Sequence, residues 1–441
     1  MTGIIEQERY TCAIGAMQTV TAIRRAIPIL HSGPGCGTMV SGFFERAKGY
    51  AGGNTAPCTN SGENEVVFGG EAKLRQVIQG SYQVLESDLQ VVLTGCTAGI
   101  VGDDVGQVVK EFQEAGKPIV HVDTTGFKSN NYVSHSHVVK AIIDQYVDRF
   151  HQGQTRTRTR NQLVNVFATL PYQDPFWKGN LSELKRILEG IGLQVNILFG
   201  PESGGVAEWQ RIPQAFANIL VSPWPGLEIV QHLEQKYGQP FYQFPHLPIG
   251  SNETARFLRG VARFAELEPV RVEAFIAREE QAFYEEIDSL ATFLLEFRYG
   301  LPGYVHVIHD ASYVVGMSKF LLHEVGIVPR EQFIVDNTPE PFQAGIRAEL
   351  ATTSSKRTIP LTFDPDAGRA QEAIRGFRHP GRGLLIGSGW DKLLAQDKGF
   401  DFLSASAPSP YRLVLTTGYL GFRGGLRLIE DIYDRVLATY K

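Results

Sequence analysis

The stretch Leu89–Val122, LQVVLTGCTAGIVGDDVGQVVKEFQEAGKPIVHV, decides the fold. Leu89–Thr94 is apolar on both alternations, the pattern of a strand buried on both faces of a parallel sheet. Glycine and aspartate then open an amphipathic helix around Val105–Ala115, and Pro118–Val122 is a second apolar strand. Two parallel strands need such a crossover, so the stretch is a strand–helix–strand unit. The pattern recurs as Leu163–Thr169, Leu181–Ile191 and Gln194–Phe199, and again as Tyr304–His309, Val314–Val325 and Gln332–Val335. Gly190, Gly192 and Gly326 stand where helix stops are expected. Recurrence of the unit predicts several doubly wound α/β domains with mostly parallel sheets.

A chain of 441 residues fits two to three domains. Gln152–Arg160 (QGQTRTRTR) is polar, basic and without apolar periodicity, the composition of a surface linker. Ala255–Phe297 is helical in pattern and charged, and Gly300–Gly303 (GLPG) breaks the chain after it. A short strand follows Gly383, and Gly424–Leu437 is a closing helix. The boundaries expected are 1–155, 156–299 and 300–441. A formal net charge of -5 argues against a nucleic-acid partner. No apolar run approaches the roughly 20 residues that span a bilayer. The start, MTGIIEQERYTC, lacks the basic and apolar segments of a secretion signal. A cytoplasmic protein is the expectation.

All four cysteines, Cys12, Cys36, Cys58 and Cys96, precede residue 97. Cytosolic thiols stay reduced, so disulfides are not expected. Cys36 lies in the glycine-rich His31–Gly37 (HSGPGCG) after the apolar Ala26–Leu30, Cys58 in the loop Gly52–Gly62, and Cys96 just past the strand Leu89–Thr94. Ligands of open α/β sheets gather at the carboxyl ends of strands. Three loops can therefore deliver three thiolates to one place, with glycine letting backbone amides approach a bulky anionic group. From the residues alone, structural cysteines and a metal site both stand. Zinc is disfavoured without a short CxxC or HxxxH pairing. No Walker loop or full dinucleotide fingerprint is present. Three thiolates fall short of the four that common iron–sulfur clusters take, so another residue or another chain must complete the set. Cys12 is a candidate, although it is not in a glycine turn.

The order of these motifs resembles component 1 of the nitrogenase superfamily, particularly its K-type (β-like) subunit. The matching features are the Gly33–Cys36 turn, Cys58 ahead of Glu65–Gly70 (EVVFGG), Cys96 ahead of Ile100–Val105 (IVGDDV), the Tyr10–Cys12 start, and Leu385–Ser388 followed by Thr417–Gly421 (TGYLG). The resemblance spans nearly the whole chain. It implies three Rossmann-like doubly wound domains, with Cys36, Cys58 and Cys96 as half the ligands of a P-cluster-type [8Fe-7S] cluster shared with a D-like (α) chain. It further implies an α2β2 heterotetramer and an ATP-dependent homodimeric iron protein as electron donor. The substrate-reducing iron–sulfur cofactor of such enzymes is held in the D-like chain through a later cysteine. No cysteine follows Cys96, so this chain is expected to relay electrons and to carry no catalytic residue.

One departure is Thr124–Phe127 (TTGF), where nitrogenase K chains often carry Thr-Pro-Ser-Phe; Gly126 replaces the serine that can ligate the oxidised cluster. This and the short segment before Cys12 favour a nitrogenase-like methylthio-alkane reductase, which cleaves C–S bonds reductively. Alternatives are the β subunit of a dinitrogen-reducing nitrogenase, a dark-operative protochlorophyllide-reductase-like subunit with a [4Fe-4S] cluster, a cofactor-assembly scaffold, and a sugar- or nucleotide-binding α/β protein with structural cysteines. Other polar residues have plainer roles. His135 and His137 are expected at a helix start or on the surface, Asp103 and Asp104 as helix caps, and Glu63 and Glu65 as solvated loop charges. Trp177, Trp209, Trp224 and Trp390 lack the spacing of a base-stacking platform.

Overall fold

The computed structural model describes residues 5–9, 12–47, 56–151, 162–297, 300–354 and 358–438. Among these, the strands form three sheets, and every strand pair is parallel. The first contains β1 (Ala26–His31), β2 (Leu89–Thr94) and β3 (Ile119–Asp123) in that order. The second contains β4 (Leu163–Phe167), β5 (Gln194–Asn196), β6 (Ala217–Val221) and β7 (Phe241–Phe244), ordered β5-β4-β6-β7. The third contains β8 (Tyr304–His309), β9 (Val328–Pro329), β10 (Gln332–Ile334), β11 (Leu361–Phe363), β12 (Gly383–Gly387) and β13 (Asp401–Ser404). Its order β11-β10-β8-β12-β13, with β9 attached to β8, is that of a doubly wound sheet. The expected α/β class with Rossmann-like, mostly parallel sheets is the fold observed.

The apolar runs become strands because helices cover both faces: every residue of β2, β4, β6, β8 and β12 is buried. One core lies between the first two sheets and contains Met17, Ile23, Leu93, Trp177, Trp209 and Leu220. A second joins the second and third sheets through Phe244, Phe257, Tyr313, Phe320 and Tyr419. Trp177, Trp209 and Trp224 are buried, which removes them from any surface role. The closing helix, Gly421–Ala438, packs on the helices Trp177–Gly190 and Gly250–Ala265 of the second sheet as well as on β13.

Buried polar groups fix register and docking. Asn165, Asn196 and Asn218 sit side by side on β4, β5 and β6. Asn196 donates to Asn165 at 2.8 Å and Asn165 to Asn218 at 2.9 Å. A one-residue slip of either neighbour strand would break the row. Asn180 Oδ1 accepts from the backbone of Tyr419 (2.8 Å) and Leu420 (3.0 Å), and its Nδ2 donates to Asp174 and Tyr313. The buried pair Arg9–Asp391, at 2.8 Å, ties the N-terminal segment to the third sheet.

Several local expectations need correction. Cys36 lies within the helix Pro34–Ala47, and Cys96 begins a short helix, Cys96–Val101; neither is a loop residue. Pro34 suits the first helical position because its missing N–H would be unpaired there anyway. Ala255–Phe297 is two helices, Gly250–Ala265 and Pro269–Phe297, separated where Glu266 adopts φ 52°. The helix expected at Val314–Val325 runs Ala311–Phe320 and continues as a π-helical turn over Leu321–Val325. The linker read at Gln152–Arg160 lies outside the described residues. Among the described residues, no helix is long and apolar enough to cross a membrane.

Candidate metal centre

The first sheet is wound so that its carboxyl edge becomes a site. After β1 the chain forms the Pro34–Ala47 helix and comes back beside β1: Leu30 N–H donates to the Pro57 carbonyl (2.8 Å) and Thr59 N–H to the Leu30 carbonyl (2.9 Å). It then crosses to the opposite side of β1 to form β2. The winding reverses between β1 and β2, which is where open α/β sheets form their ligand crevice. Cys36 follows β1, Cys58 flanks its end, and Cys96 follows β2 at that point.

Backbone amides face two of the sulfurs. Gly126 N–H, in the turn after β3, donates to Cys96 Sγ at 3.1 Å, and Asn60 N–H donates to Cys58 Sγ at 3.4 Å. Cys58 Sγ also lies 3.5 Å from the Ser32 carbonyl, next to the turn that leads to Cys36. Cys58 and Cys36 are near enough to interact electrostatically, and burial pushes the Cys58 thiol up.

Cys12 belongs to the same place. Its thiol interacts with those of Cys96 and Cys36, and the protein packed around it pushes its pKa up too. A side-chain carbon on Gly126 would collide with Cys12 Sγ and sit 3.4 Å from Cys96 Sγ, so both sulfurs border one position. Lacking a glycine turn, Cys12 was the weaker candidate in sequence. Tertiary contacts place it: Cys12 bridges to Asn130, and the buried turn Ala13–Ala16 leads straight into the helix Met17–Thr21. The signal available was the glycine at position 126, which leaves space for a sulfur.

Polar residues brace the strand ends. His31, the last residue of β1, is fully buried. Its Nε2 lies 2.9 Å from Asp103 Oδ2, and Nδ1 lies 3.2 Å from Thr59 Oγ1. Burial lowers the His31 pKa, while Asp103 pulls it back up, so the ring is read as neutral with Nε2–H donating. Asp103 also accepts from Gly70 N–H at 2.8 Å. It is therefore a brace between loops, not the helix cap expected; Asp104 is the cap, accepting from Gln107 N–H at 2.9 Å. Glu65 accepts from Gly62 N–H at 2.7 Å and pairs with Lys73 at 3.2 Å, closing the short helix Glu63–Phe68.

The donor set fits an iron–sulfur group. It offers soft thiols together with inward amides suited to sulfide or thiolate. The Ser32 hydroxyl, wholly buried between the turns carrying Cys36 and Cys96, has no hydrogen-bond partner among the described residues. All four cysteines are free.

A second group of potential ligands is already neutralised. His246, Glu253 and Glu349 cluster, but Lys319 reaches Glu349 at 2.8 Å and Arg256 reaches both carboxylates, so the charge is matched without a metal. His135 and His137 lie on the helix Asn131–Ile142. His135 is buried against Thr19 Oγ1 at 2.8 Å and not at the surface.

A parallel α/β fold with thiols gathered at a switch point has the donor set that a metal–sulfur group takes. The family model for nitrogenase component 1 type oxidoreductase matches residues 11–437, and the chain belongs to that family. It is 24% identical to the nitrogenase molybdenum-iron protein beta chain of Methanococcus maripaludis, over 99% of this chain and 97% of that one. It is 25% identical to the corresponding chain of Methanothermobacter thermautotrophicus, over 98% and 94%. One of the chains of light-independent protochlorophyllide reductase from Gloeobacter violaceus is 24% identical over 71% of this chain and 61% of its own. The structure titled "Nitrogenase Cp1 at pH 6.5" superposes with a TM-score of 0.80 at 20% identity, covering 99% of this chain and 94% of that one. The matched relatives are oxidoreductase subunits of the nitrogenase type.

Proposed function

We propose that this chain is the electron-relay, β-like subunit of a nitrogenase-like reductase. Cys36, Cys58 and Cys96 would hold this chain's half of an interfacial P-cluster-type [8Fe-7S] cluster. A D-like partner in an α2β2 heterotetramer would supply the other half and would hold the substrate-reducing cofactor. An ATP-dependent iron protein would be the electron donor. The carrying observation is the convergence of the thiols at the β1/β2 switch point, on the carboxyl edge of the first sheet.

When bound, the cluster would accept and pass single low-potential electrons. The chain's own part is to present soft thiolates, aim the Gly126 and Asn60 amides at them, and hold the strand ends in register through His31 and Asp103. Large apolar side chains stand exposed on the same elements: Met39 on the Cys36 helix, Phe68 on Glu63–Phe68, Ile100 on the Cys96 helix, and Phe127 beside Gly126. Exposed apolar groups rimming a half-complete ligand set suit a surface covered by protein partners.

Reductive C–S cleavage of methylthio-alkanes is the reaction proposed for the complex. Gly126 supports it, since a redox-switched serine is absent from that turn. The test is to purify the complex without oxygen and supply iron protein, ATP and a low-potential reductant. Methanethiol should be released from small methylthio compounds faster than ammonia forms from dinitrogen. Ammonia formation without C–S cleavage would assign the complex to nitrogenase proper.

A further inference from the structure

We propose that the segment Tyr411–Leu415, with Trp390 and Leu393 beside it, is a second docking surface for the D-like partner chain. The inference rests on the partner reading above and adds the third sheet to the face that the partner covers. The segment alternates: Tyr411, Leu413 and Leu415 are exposed, Leu413 by 65% and Leu415 by 62%, while Arg412 and Val414 turn inward. Arg412 donates to Tyr419 Oη at 2.6 Å and to Asp431 Oδ2, and its guanidinium lies 5.2 Å from the Phe176 ring centre. Val414 packs against the core that joins the second and third sheets. The backbone of Leu413–Leu415 makes no hydrogen bond among the described residues. An extended apolar run with open backbone groups is a template for another chain, and left uncovered it invites aggregation.

The surface extends sideways. Gly389 N–H donates to the Pro408 carbonyl at 2.7 Å, and Lys392 Nζ sits 3.9 Å from the Tyr411 ring centre, so the exposed Trp390 and Leu393 adjoin the segment. Continuity with the thiol edge identifies the occupant. Arg9 lies 5.3 Å over the Trp390 ring and pairs with Asp391. Only three residue steps, at most about 11 Å of chain, lead from Arg9 to Cys12. Cys12 stands beside Cys96 and Gly126, next to the exposed Phe127. A partner that covers Phe68, Ile100 and Phe127 at the thiol edge therefore reaches Trp390 within the span of an ordinary interface, about 20–30 residues a side. Composition argues the same way. Within Trp390–Leu393 and Tyr411–Leu415, Asp391 and Arg412 are held in internal ion pairs, which leaves Lys392 as the one charge at the surface. Large aliphatic side chains and open backbone suit a subunit that stays bound; a donor that docks and leaves uses smaller, more polar contacts.

The experiment uses the whole complex purified without oxygen. A photo-crosslinking benzoylphenylalanine in place of Leu413 should join this chain to the D-like chain on illumination, as read by mass spectrometry. A main product joining two copies of this chain, or this chain to the iron protein, would overturn the assignment, and so would no crosslink at all. The double variant Leu413→Glu, Leu415→Glu removes no buried side chain and should keep the circular dichroism of the unmodified complex. It should raise the dissociation constant between this chain and the D-like chain tenfold or more, measured by size-exclusion chromatography with light scattering. An intact heterotetramer in that variant, or one that splits only into pairs with each D-like chain still bound, would count against the surface. Iron content separates this inference from the cluster reading. An iron-free complex whose D-like chain still crosslinks at position 413 would sink the cluster and leave the surface in place, whereas a chain that purifies with no D-like partner would overturn both.

Discussion

His31 and Asp103 are joined at 2.9 Å although 72 residues separate them in the chain. His31 is the last residue of β1, and Asp103 lies just past the Cys96 helix, so the pair spans the crevice between them. A buried hydrogen bond to a carboxylate contributes about 1.5–3 kcal/mol. Replacing His31 by Ala also leaves the enclosed Asp103 carboxylate with the Gly70 amide as its remaining partner in this network. His31→Ala should lower unfolding free energy by on the order of 3 kcal/mol in denaturant titration, and should lower iron retention in the complex. His31→Gln should recover part of both. Wild-type stability and iron in His31→Ala would show that the strand ends do not depend on this brace.

Phe68 is 84% exposed and Ile100 75% exposed, both on helices that pack against one another. A charge at Phe68 removes no buried contact, so Phe68→Glu should leave the isolated chain's unfolding midpoint nearly unchanged. In the complex it should weaken either assembly with the partner chain or electron delivery from the iron protein by tenfold or more, on the scale of about 1.4 kcal/mol. Size-exclusion chromatography and electron-transfer rates measure the two. No effect on either would remove this face from the proposed interface.

His135, buried against Thr19, gives the protein an acid-sensitive point. Burial lowers its pKa to about 4, against an ordinary value near 6.5. The unfolded chain therefore takes up a proton at His135 as pH falls below about 6.5, while the folded chain does not until about pH 4. The stability from the neutral buried ring is present above the unfolded value and is lost across that window, by on the order of 3 kcal/mol. His135→Asn should show a shallower fall in stability between pH 6.5 and pH 4 than the unmodified chain. Parallel curves would contradict the burial argument.

Asn180 is the polar joint between the second sheet's helix and the segment before the closing helix. Asn180→Ala strips the Tyr419 and Leu420 amides of their acceptor and Asp174 and Tyr313 of a donor. Each buried group left unpaired costs about 1–3 kcal/mol. The variant should lose several kcal/mol, and native-state hydrogen exchange at Tyr419 and Leu420 should accelerate well before that of β4. Unchanged exchange there would place the docking elsewhere.

The parallel strands were legible because burial on both faces leaves a continuous apolar run: Tyr304–His309 is a strand over the residues expected, and Leu89–Thr94 likewise. Strand ends in partly polar runs were not. Gln194–Phe199 yields a strand only to Asn196, since pairing with β4 stops at Asn165. The short helices at Cys36 and Cys96 escaped notice because glycine and proline signal a turn, while Pro34 at a helix start looks the same in sequence. Spacing and glycine context marked Cys36, Cys58 and Cys96 as candidates. The placement of Cys12 and Ser32 and the His31–Asp103 brace depend on contacts between distant segments, which no local pattern records.

On the proposed reading, the converging thiols hold iron shared with a partner chain. The most direct measurement is iron content, with Mössbauer spectroscopy, of the complex purified without oxygen, unmodified and with Cys36→Ser, Cys58→Ser or Cys96→Ser. Cluster iron is expected in the unmodified complex, and loss of most of it together with weakened association of the chains in each variant, because metal binding is linked to assembly. Equal iron in all three variants, or a colourless and iron-free unmodified complex, would contradict it.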